Sequence, residues 1–328
     1  MRPIALALVA LVILSCGAAP AATTPAPSVE RQTLTLAYAD DPSRAALVWA
    51  IQNGKVTSKT VDLRISFLPV AQIIPAANTK QYDVIEATPL AVPRTAGAEP
   101  GFLILSLGLV NLNGTQLVTG KNSAIRTPAD LAGKTIAVPS LGGTFVQETR
   151  YVLTARHKLD TDLKTGSVKF TETPPEAVPQ LLKDGKLDAA VTTQVGLFRL
   201  KDSPDHRVLS EIASEFRTLA GQPSLSSIVV TYRDRASTKA AALAEVQRML
   251  RESREYLRAN QSEVVRAIAQ EKKVDEAYLR WFFTAYELGG GPVSTDDAAR
   301  ITATWEAAKT LGDVKELPKV ADVLFRAP

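Results

Sequence analysis

Thr127-Pro128-Ala129-Asp130-Leu131-Ala132-Gly133-Lys134-Thr135-Ile136-Ala137-Val138-Pro139 carries its own punctuation. Thr127 is a capping residue, Pro128 follows at the first helical position, and Asp130 puts an acid in the first turn, the preferred order at a helix start. Gly133 suits the left-handed position that ends such a turn. Residues 135–139 then read as a strand. Gly142-Gly143-Thr144 leads from that strand into an amphipathic helix over 145–156. Strand, glycine turn and helix make one βα unit, and the rest of the chain is read by asking whether the unit repeats.

It repeats upstream. Residues 33–38 alternate apolar and polar, which is a strand pattern. Asp41 caps the next helix, with Pro42 at its first position and the helix running to residue 51. Residues 61–68 alternate again, 70–77 are helical within the limit Pro75 sets, and 82–87 form a strand ending at Thr88-Pro89. Downstream, Thr173-Pro174-Pro175-Glu176 opens a helix that Asp184-Gly185 closes, with Pro179 moving its true start later. Residues 187–191 and 227–232 read as strands. From 238 to 311 the pattern is helical: Ala242, Val246, Met249, Leu250 and Leu257 recur at helical spacing. Asn260 with Glu263 reads as a capping pair, Trp281-Phe282-Phe283 as core in a third helix, and Ser294 with Asp297 as the cap of a fourth. Alternating strands and helices predict α/β lobes, each a mostly parallel sheet covered by helices on both faces. Two such runs and a helical C-terminal region predict two lobes.

The N-terminus reads differently. Arg2 precedes an apolar run over 4–14, and Ile13-Leu14-Ser15-Cys16 follows. The run is shorter than the ~20 apolar residues a membrane-spanning helix needs. It fits a cleaved lipoprotein signal over 1–15, with Cys16 lipidated. An ordinary secretory signal with an incidental cysteine is the alternative. Residues 16–32, rich in Ala, Pro and Thr, read as a flexible tether. Cys16 is the only cysteine, so disulfides and thiol chemistry are excluded from the rest of the chain. The expected location is the periplasm or the outer face of the cytoplasmic membrane. The net charge of +4 is small, and no basic stripe for nucleic acid is present.

Three segments together resemble one family. Residues 123–138 (Ser-Ala-Ile-Arg-Thr-Pro-Ala-Asp-Leu-Ala-Gly-Lys-Thr-Ile-Ala-Val), the turn Gly142-Gly143-Thr144, and the stretch from Pro175-Glu176-Ala177 to Leu187-Asp188-Ala189-Ala190 are similar to motifs of ABC-transporter periplasmic substrate-binding proteins of the nitrate/sulfonate/taurine branch. The resemblance implies a type II clamshell, with one lobe from 33–113 plus 225–328 and the other from 114–224. It implies a small-molecule solute (a polar organic compound or an oxyanion) held between the lobes at the carboxyl ends of the strands. Hinge closure would present the loaded form to an ABC permease and its ATPase. A monomer is expected, without cofactor, metal or catalytic residue.

Ser140, Gly142, Gly143 and Thr144 are the foremost ligand-binding candidates. A helix N-terminus offers unpaired backbone N–H groups to an oxyanion, and glycines allow close approach. Thr144 also reads as an N-cap with Gln147 as its capping-box partner. Tyr38 and Asp40 leave the first strand toward the same cleft, Thr88 leaves another, and Thr192 with Gln194 leaves a strand of the second lobe. Ser226 lies in a hydroxyl-rich crossing that reads equally as a hinge loop. Asp40 and Glu86 oppose a bare anion if they face the cleft, and then favour a zwitterionic or neutral ligand. They can instead face solvent or pair with Arg44 or Arg94. His157 lies in a helix's last turn and His206 in a loop, and no catalytic motif is present. A ligand-sensing lipoprotein that docks on a receptor is the alternative function, and an enzyme distantly related to pyrimidine synthases is a further one.

Overall fold

The computed structural model describes residues 31–95 and 98–328. The signal segment, Cys16 and the tether up to residue 30 lie outside the described residues. The strands are β1 (Gln32–Ala39), β2 (Val61–Leu68), β3 (Val84–Ala87), β4 (Phe102–Asn111), β5 (Thr115–Gly120), β6 (Thr135–Val138), β7 (Lys169–Glu172), β8 (Ala189–Thr193), β9 (His206–Ser210), β10 (Ser224–Tyr232) and β11 (Tyr286–Leu288). The helices are α1 (Pro42–Gln52), α2 (Val70–Asn78), α3 (Ala91–Arg94), α4 (Thr144–His157), α5 (Val178–Lys183), α6 (Gln194–Leu200), α7 (Ile212–Ala220), α8 (Arg233–Ala259), α9 (Gln261–Lys272), α10 (Glu276–Ala285) and α11 (Thr295–Thr310).

Two sheets result, of order β11-β4-β10-β3-β1-β2 and β7-β6-β8-β5-β9. Both are mixed. In the first, β10 and β11 run against the other four strands, and in the second β5 runs against its neighbours. The first sheet has an apolar core on each face. One is filled from α1, α8, α9 and α10, and the other from α2 and α11. The second sheet is likewise covered on both sides. This is the α/β architecture expected, with a helical C-terminal region.

Local signals explain most elements. Asp41 caps α1 by accepting from the Ser43 N–H, with Pro42 at the first position. Ser294 and Asp297 form a capping box on α11. Thr127 and Asp130 form one as well, but over a single 3₁₀ turn, Pro128–Leu131, because Gly133 at φ +74° turns the chain directly into β6. Other expectations fail for identifiable reasons. Asn260 does not cap α9 with Glu263: its amide donates back to the Tyr256 carbonyl, and Glu263 accepts from the Tyr256 hydroxyl. The helical stretch 238–311 is broken by β11, which pairs with β4. His206 opens strand β9 instead of lying in a loop, with Nδ1 2.9 Å from Ser203 Oγ. Ser226 lies within β10, at a register shift against β4, so the crossing is strand from Ser224 onward.

The chain passes between the sheets twice, at 112–114 and before Ser224. Both passages close on α4. Glu148, on that helix, is buried, and its carboxylate accepts from Asn111 Nδ2 (2.9 and 3.1 Å) at the end of β4 and from Ser224 Oγ (2.7 Å) at the start of β10. Asn111 also reaches Thr115 Oγ1 (2.8 Å), at the start of β5, and accepts from the Gly114 N–H (2.7 Å). The Tyr286 hydroxyl donates to the Gly114 carbonyl (2.7 Å), and its ring stacks on Phe282 with centroids 4.6 Å apart.

Two predictions follow from this packing. A Cβ at Gly114 would lie 2.0 Å from the Tyr286 ring, which the Phe282 stack holds in place. Gly114→Ala should therefore destabilise the fold by about 1–3 kcal/mol in urea titration, and an unchanged midpoint would refute this. Burial pushes the Glu148 carboxyl up from 4.5 to about 7, against the pull of its hydrogen bonds. The native state thus holds this proton more tightly than the unfolded chain does, and deprotonation costs native stability between those two pH values. Glu148→Gln lacks that titration. Its unfolding free energy relative to the parent should rise by up to about 3 kcal/mol across this window and level off above it, and a flat difference would refute the assignment.

Candidate functional site

α4 also forms one wall of an open cleft. Its N-terminal loop and first two turns (Leu141, Gly142, Gly143, Thr144, Gln147, Arg150) face Thr88, Leu90 and Arg94, which follow β3, across about 350 Å³ of space open to solvent. Leu163 and Asp313 complete the lining with Val146. The cleft therefore lies between groups carried by the two sheets.

Helical spacing on α4 sorts its side chains by direction. Thr144 and Glu148, four apart, both face the start of β10: Thr144 Oγ1 donates to the Ser226 carbonyl (3.3 Å), one turn before the Glu148–Ser224 bond. Gln147 and Arg150, three apart, both face the C-terminal segment. Gln147 Nε2 donates to the Thr304 carbonyl (2.8 Å). Arg150 Nη1 contacts both oxygens of Asp313 (2.8 and 2.9 Å), and its Nε donates to the Thr161 carbonyl (2.8 Å). The Thr144–Gln147 capping box is thus not formed. Gly143 holds the N-cap position, and both side chains are engaged elsewhere.

The loop before α4 is partly self-satisfied. The Leu141 N–H donates to Glu172 Oε1 (2.7 Å) and the Gly143 N–H to the Ser140 carbonyl (3.3 Å). A Cβ on Gly142 would meet only Ser140 Oγ, at 4.0 Å, whereas one on Gly143 would lie 2.4 Å from the Phe145 ring. Gly142 is thus the exposed approach to the helix N-terminus. Positive potential comes from that N-terminus and from Arg94, which forms no ion pair among the described residues.

Of the residues selected from sequence, Thr88, Gly142, Gly143 and Thr144 come together here. Ser226 touches the group through its carbonyl, while Ser140, Thr192 and Gln194 do not line the cleft. Thr192 is buried in β8, with Oγ1 directed at the Gln116 carbonyl (3.4 Å), and Gln194 opens α6 at φ +48°. Asp40 is exposed and pairs with Lys272 (3.3 Å). Glu86 is buried and paired with Arg44 (3.0 Å), and it also accepts from the Ala39 N–H (3.2 Å). Tyr38 borders a separate small hollow with Arg44, Glu86 and Gly108. Its hydroxyl is buried without a partner among the described residues, and burial holds its phenol far above the ordinary range.

Arg94, Gln147 and Arg150 were not picked out from the sequence as cleft residues: Gln147 was read as a capping partner of Thr144, and Arg94 as a partner for Asp40 or Glu86. The spacing of Gln147 and Arg150 on one face of the 145–156 helix was the available signal. Arg94, just beyond the Thr88-Pro89 strand end, carried none.

A family model described as "ABC transporter, phosphonate, periplasmic substrate-binding protein" matches residues 58–277, more than half of the chain. The chain belongs to the periplasmic substrate-binding proteins of ABC transporters. Such proteins bind a small solute and work with a permease and its ATPase. No curated protein matches the chain by sequence. Among solved structures, it is similar to the periplasmic aliphatic sulphonate binding protein SsuA of Escherichia coli, with 15% identity, TM-score 0.69, and coverage of 91% of this chain and 94% of that one. It is also similar to the alkanesulfonate-binding protein SsuA of Xanthomonas axonopodis pv. citri bound to MOPS, with 18% identity, TM-score 0.66, and coverage of 90% and 98%. The desulfurization enzyme DSZB shares the fold as well, with 14% identity, TM-score 0.60, and coverage of 90% and 96%. At these identities the structural likeness speaks for the fold alone.

The Arg150–Asp313 pair yields the site's own prediction. Removing one partner strands a buried charge, whereas removing both does not. Asp313→Ala should cost about 3 kcal/mol in chemical denaturation, and Arg150→Met with Asp313→Leu clearly less. Additive losses would show that the pair is not coupled.

Proposed function

We propose that this protein is the solute-binding component of an ABC importer and captures a small organic oxyanion of the sulfonate or phosphonate type in the cleft between Thr88/Arg94 and the N-terminus of α4. The observation that carries this reading is the convergence of two positive elements on that cleft. One is the guanidinium of Arg94, on α3 after the first sheet's β3, which has no ion pair among the described residues. The other is the Gly142–Thr144 helix start from the second sheet. The two acids that argued against an anion are already engaged, Glu86 with Arg44 and Asp40 with Lys272, and Asp313 in the cleft lining is paired with Arg150. Taurine and nitrate fit the same chemistry. Binding without turnover is favoured over the DSZB type of role, because neither His157 nor His206 lines the cleft and the single cysteine is Cys16.

In this reading residues 33–113 plus 225–328 form one lobe and 114–224 the other, and closure of the two around the solute prepares the form that a permease accepts. Residues 1–15 serve as signal peptide, and a lipid on Cys16 tethers a monomeric body outside the cytoplasmic membrane. Support for the anchor comes from the Ile13-Leu14-Ser15-Cys16 motif.

The test is a thermal-shift and calorimetry panel of alkylsulfonates, alkylphosphonates, taurine, nitrate and neutral amides. A ligand at 100 times its dissociation constant adds about 2.7 kcal/mol to the native state. At roughly 2–4 °C per kcal/mol, the midpoint should rise by several degrees with one anionic class. Arg94→Ala should weaken that binding about tenfold or more, and its affinity should lose most of its salt dependence. Equal responses to neutral amides and anions would refute the reading.

A further inference from the structure

One residue lining the cleft, Gln147, carries a buried polar atom without a partner among the described residues. Gln147 is 4% exposed and lines the cleft two residues below the Phe145 turn. Its amide orientation is fixed, because Nε2 donates to the Thr304 carbonyl at 2.8 Å, and a flipped amide would set two oxygens against each other. Oε1 therefore takes the other direction, and it is buried with no hydrogen-bond partner among the described residues. A buried carbonyl oxygen without a donor is a standing cost, which a ligand carrying a donor relieves and a ligand carrying only acceptors worsens.

The charges around Gln147 do not meet that demand. Arg150, one turn on, is committed to Asp313 and the Thr161 carbonyl. Glu148 faces the opposite way, into Asn111 and Ser224. Arg94 stands across the cleft, and Glu172 is engaged at the Leu141 N–H. The cleft thus combines donors for an anion, at the α4 N-terminus and Arg94, with a buried acceptor one turn into the helix that has no partner among the described residues. A fully deprotonated headgroup satisfies the donors only. A monoprotonated phosphorus oxyanion satisfies both, presenting P–O⁻ oxygens to the helix start and its P–OH to Oε1. A sulfonate has the same shape and charge without the hydroxyl.

Resting on the anion-cleft reading above, we propose that Gln147 is the specificity-determining residue of the site, selecting a hydrogen-phosphonate headgroup over an isosteric sulfonate through an O–H donated to its Oε1.

The experiment compares three monoanions on the full chain by calorimetry: ethylphosphonate, ethanesulfonate and the monomethyl ester of ethylphosphonate. The pH is held at about 5, below the second ionisation of phosphorus oxyacids near pH 6, where Glu148 is also protonated. Ethylphosphonate should bind about tenfold more tightly than either of the others, the difference expected for one buried hydrogen bond. In Gln147→Leu, phosphonate and sulfonate should bind alike. If all three bind the unmodified protein equally, the inference is overturned while the anion-cleft reading stands. If none binds, that reading falls and the inference with it. Should Gln147→Leu fail to fold, the sulfonate and ester comparison on the unmodified protein still decides the matter. A preference for phosphonate that persists in a folded Gln147→Leu assigns the selection to another residue and refutes the proposal.

Discussion

A carboxylate buried without a cation sets the terms for this fold. Taking Glu148 out of water is unfavourable unless its oxygens are filled by donors. The donors it finds are the side chains of Asn111 and Ser224, which stand where the chain leaves the first sheet and where it returns. One side chain on α4 therefore fixes the registers of both passages. The same helix, one face round, holds Thr304 and Asp313 of the C-terminal segment through Gln147 and Arg150. Its N-terminus then points where those attachments leave it, into the cleft. The position of this cleft wall is thus a consequence of how the crossings are tied, with no separate device needed to aim it.

The electrostatics follow from the same economy of partners. Read as a list, the acids near the strand ends oppose an anionic ligand. Folded, Glu86, Asp40 and Asp83 are each neutralised by a cation from a neighbouring element. Arg44 on α1 reaches Glu86 on β3, Lys272 of α9 reaches Asp40, and Lys239 meets Asp83 at 2.7 Å, beside the Thr35 N–H. Hydrogen bonds from Lys239 and Thr35 bring the Asp83 carboxyl below its usual range although burial pulls it the other way. Among the described residues that line the cleft, the charge left without an ion pair is that of Arg94. Local sequence cannot show this, because every one of these pairs joins residues more than forty apart.

The legible parts of the chain are those whose physics is local. Asp41-Pro42, Ser294 with Asp297, and Thr127 with Asp130 specify their caps within four residues, and each forms as read. The alternation in residues 61–68 is strand β2 to the residue. β4 escaped because all ten of its residues are buried, so it shows no alternation at all. β11 escaped because three residues carry no period, and only the exposed edge of β4 makes them a strand. Thr144–Gln147 and Asn260–Glu263 have capping-box spacing, yet the first loses to tertiary partners at Ser226 and Thr304, and the second to Tyr256 in the last turn of α8. The glycine turn at the site was readable as a backbone feature. Arg94, Gln147 and Arg150 were not, since a side chain's direction is decided by what packs beside it.

α11 shows why a two-lobe division drawn along the sequence is only part of the mechanical picture. Ile301, Trp305 and Ala308 pack in the core of the first sheet, and the Trp305 indole donates to the Pro89 carbonyl at 2.8 Å. Ala307, between them, packs in the core of the second. Thr304 is bonded to α4 and β10 at once, accepting from Gln147 through its carbonyl (2.8 Å) and from the Leu225 N–H through its hydroxyl (3.1 Å). A rigid separation of the sheets would have to break one of these sets. Trp305 is almost wholly buried, and removing an aromatic of that size from a core costs about 3–5 kcal/mol. Sliding Ala307 past its neighbours exposes far less apolar surface, of the order of one methyl group. The weaker seam is therefore between α11 and α4, where the Gln147 and Arg150 bonds lie. Gln147, proposed above to read the ligand, holds Thr304 of α11, and Arg150, one turn on, holds Asp313 just beyond it, so on that proposal filling the cleft bears directly on the same seam.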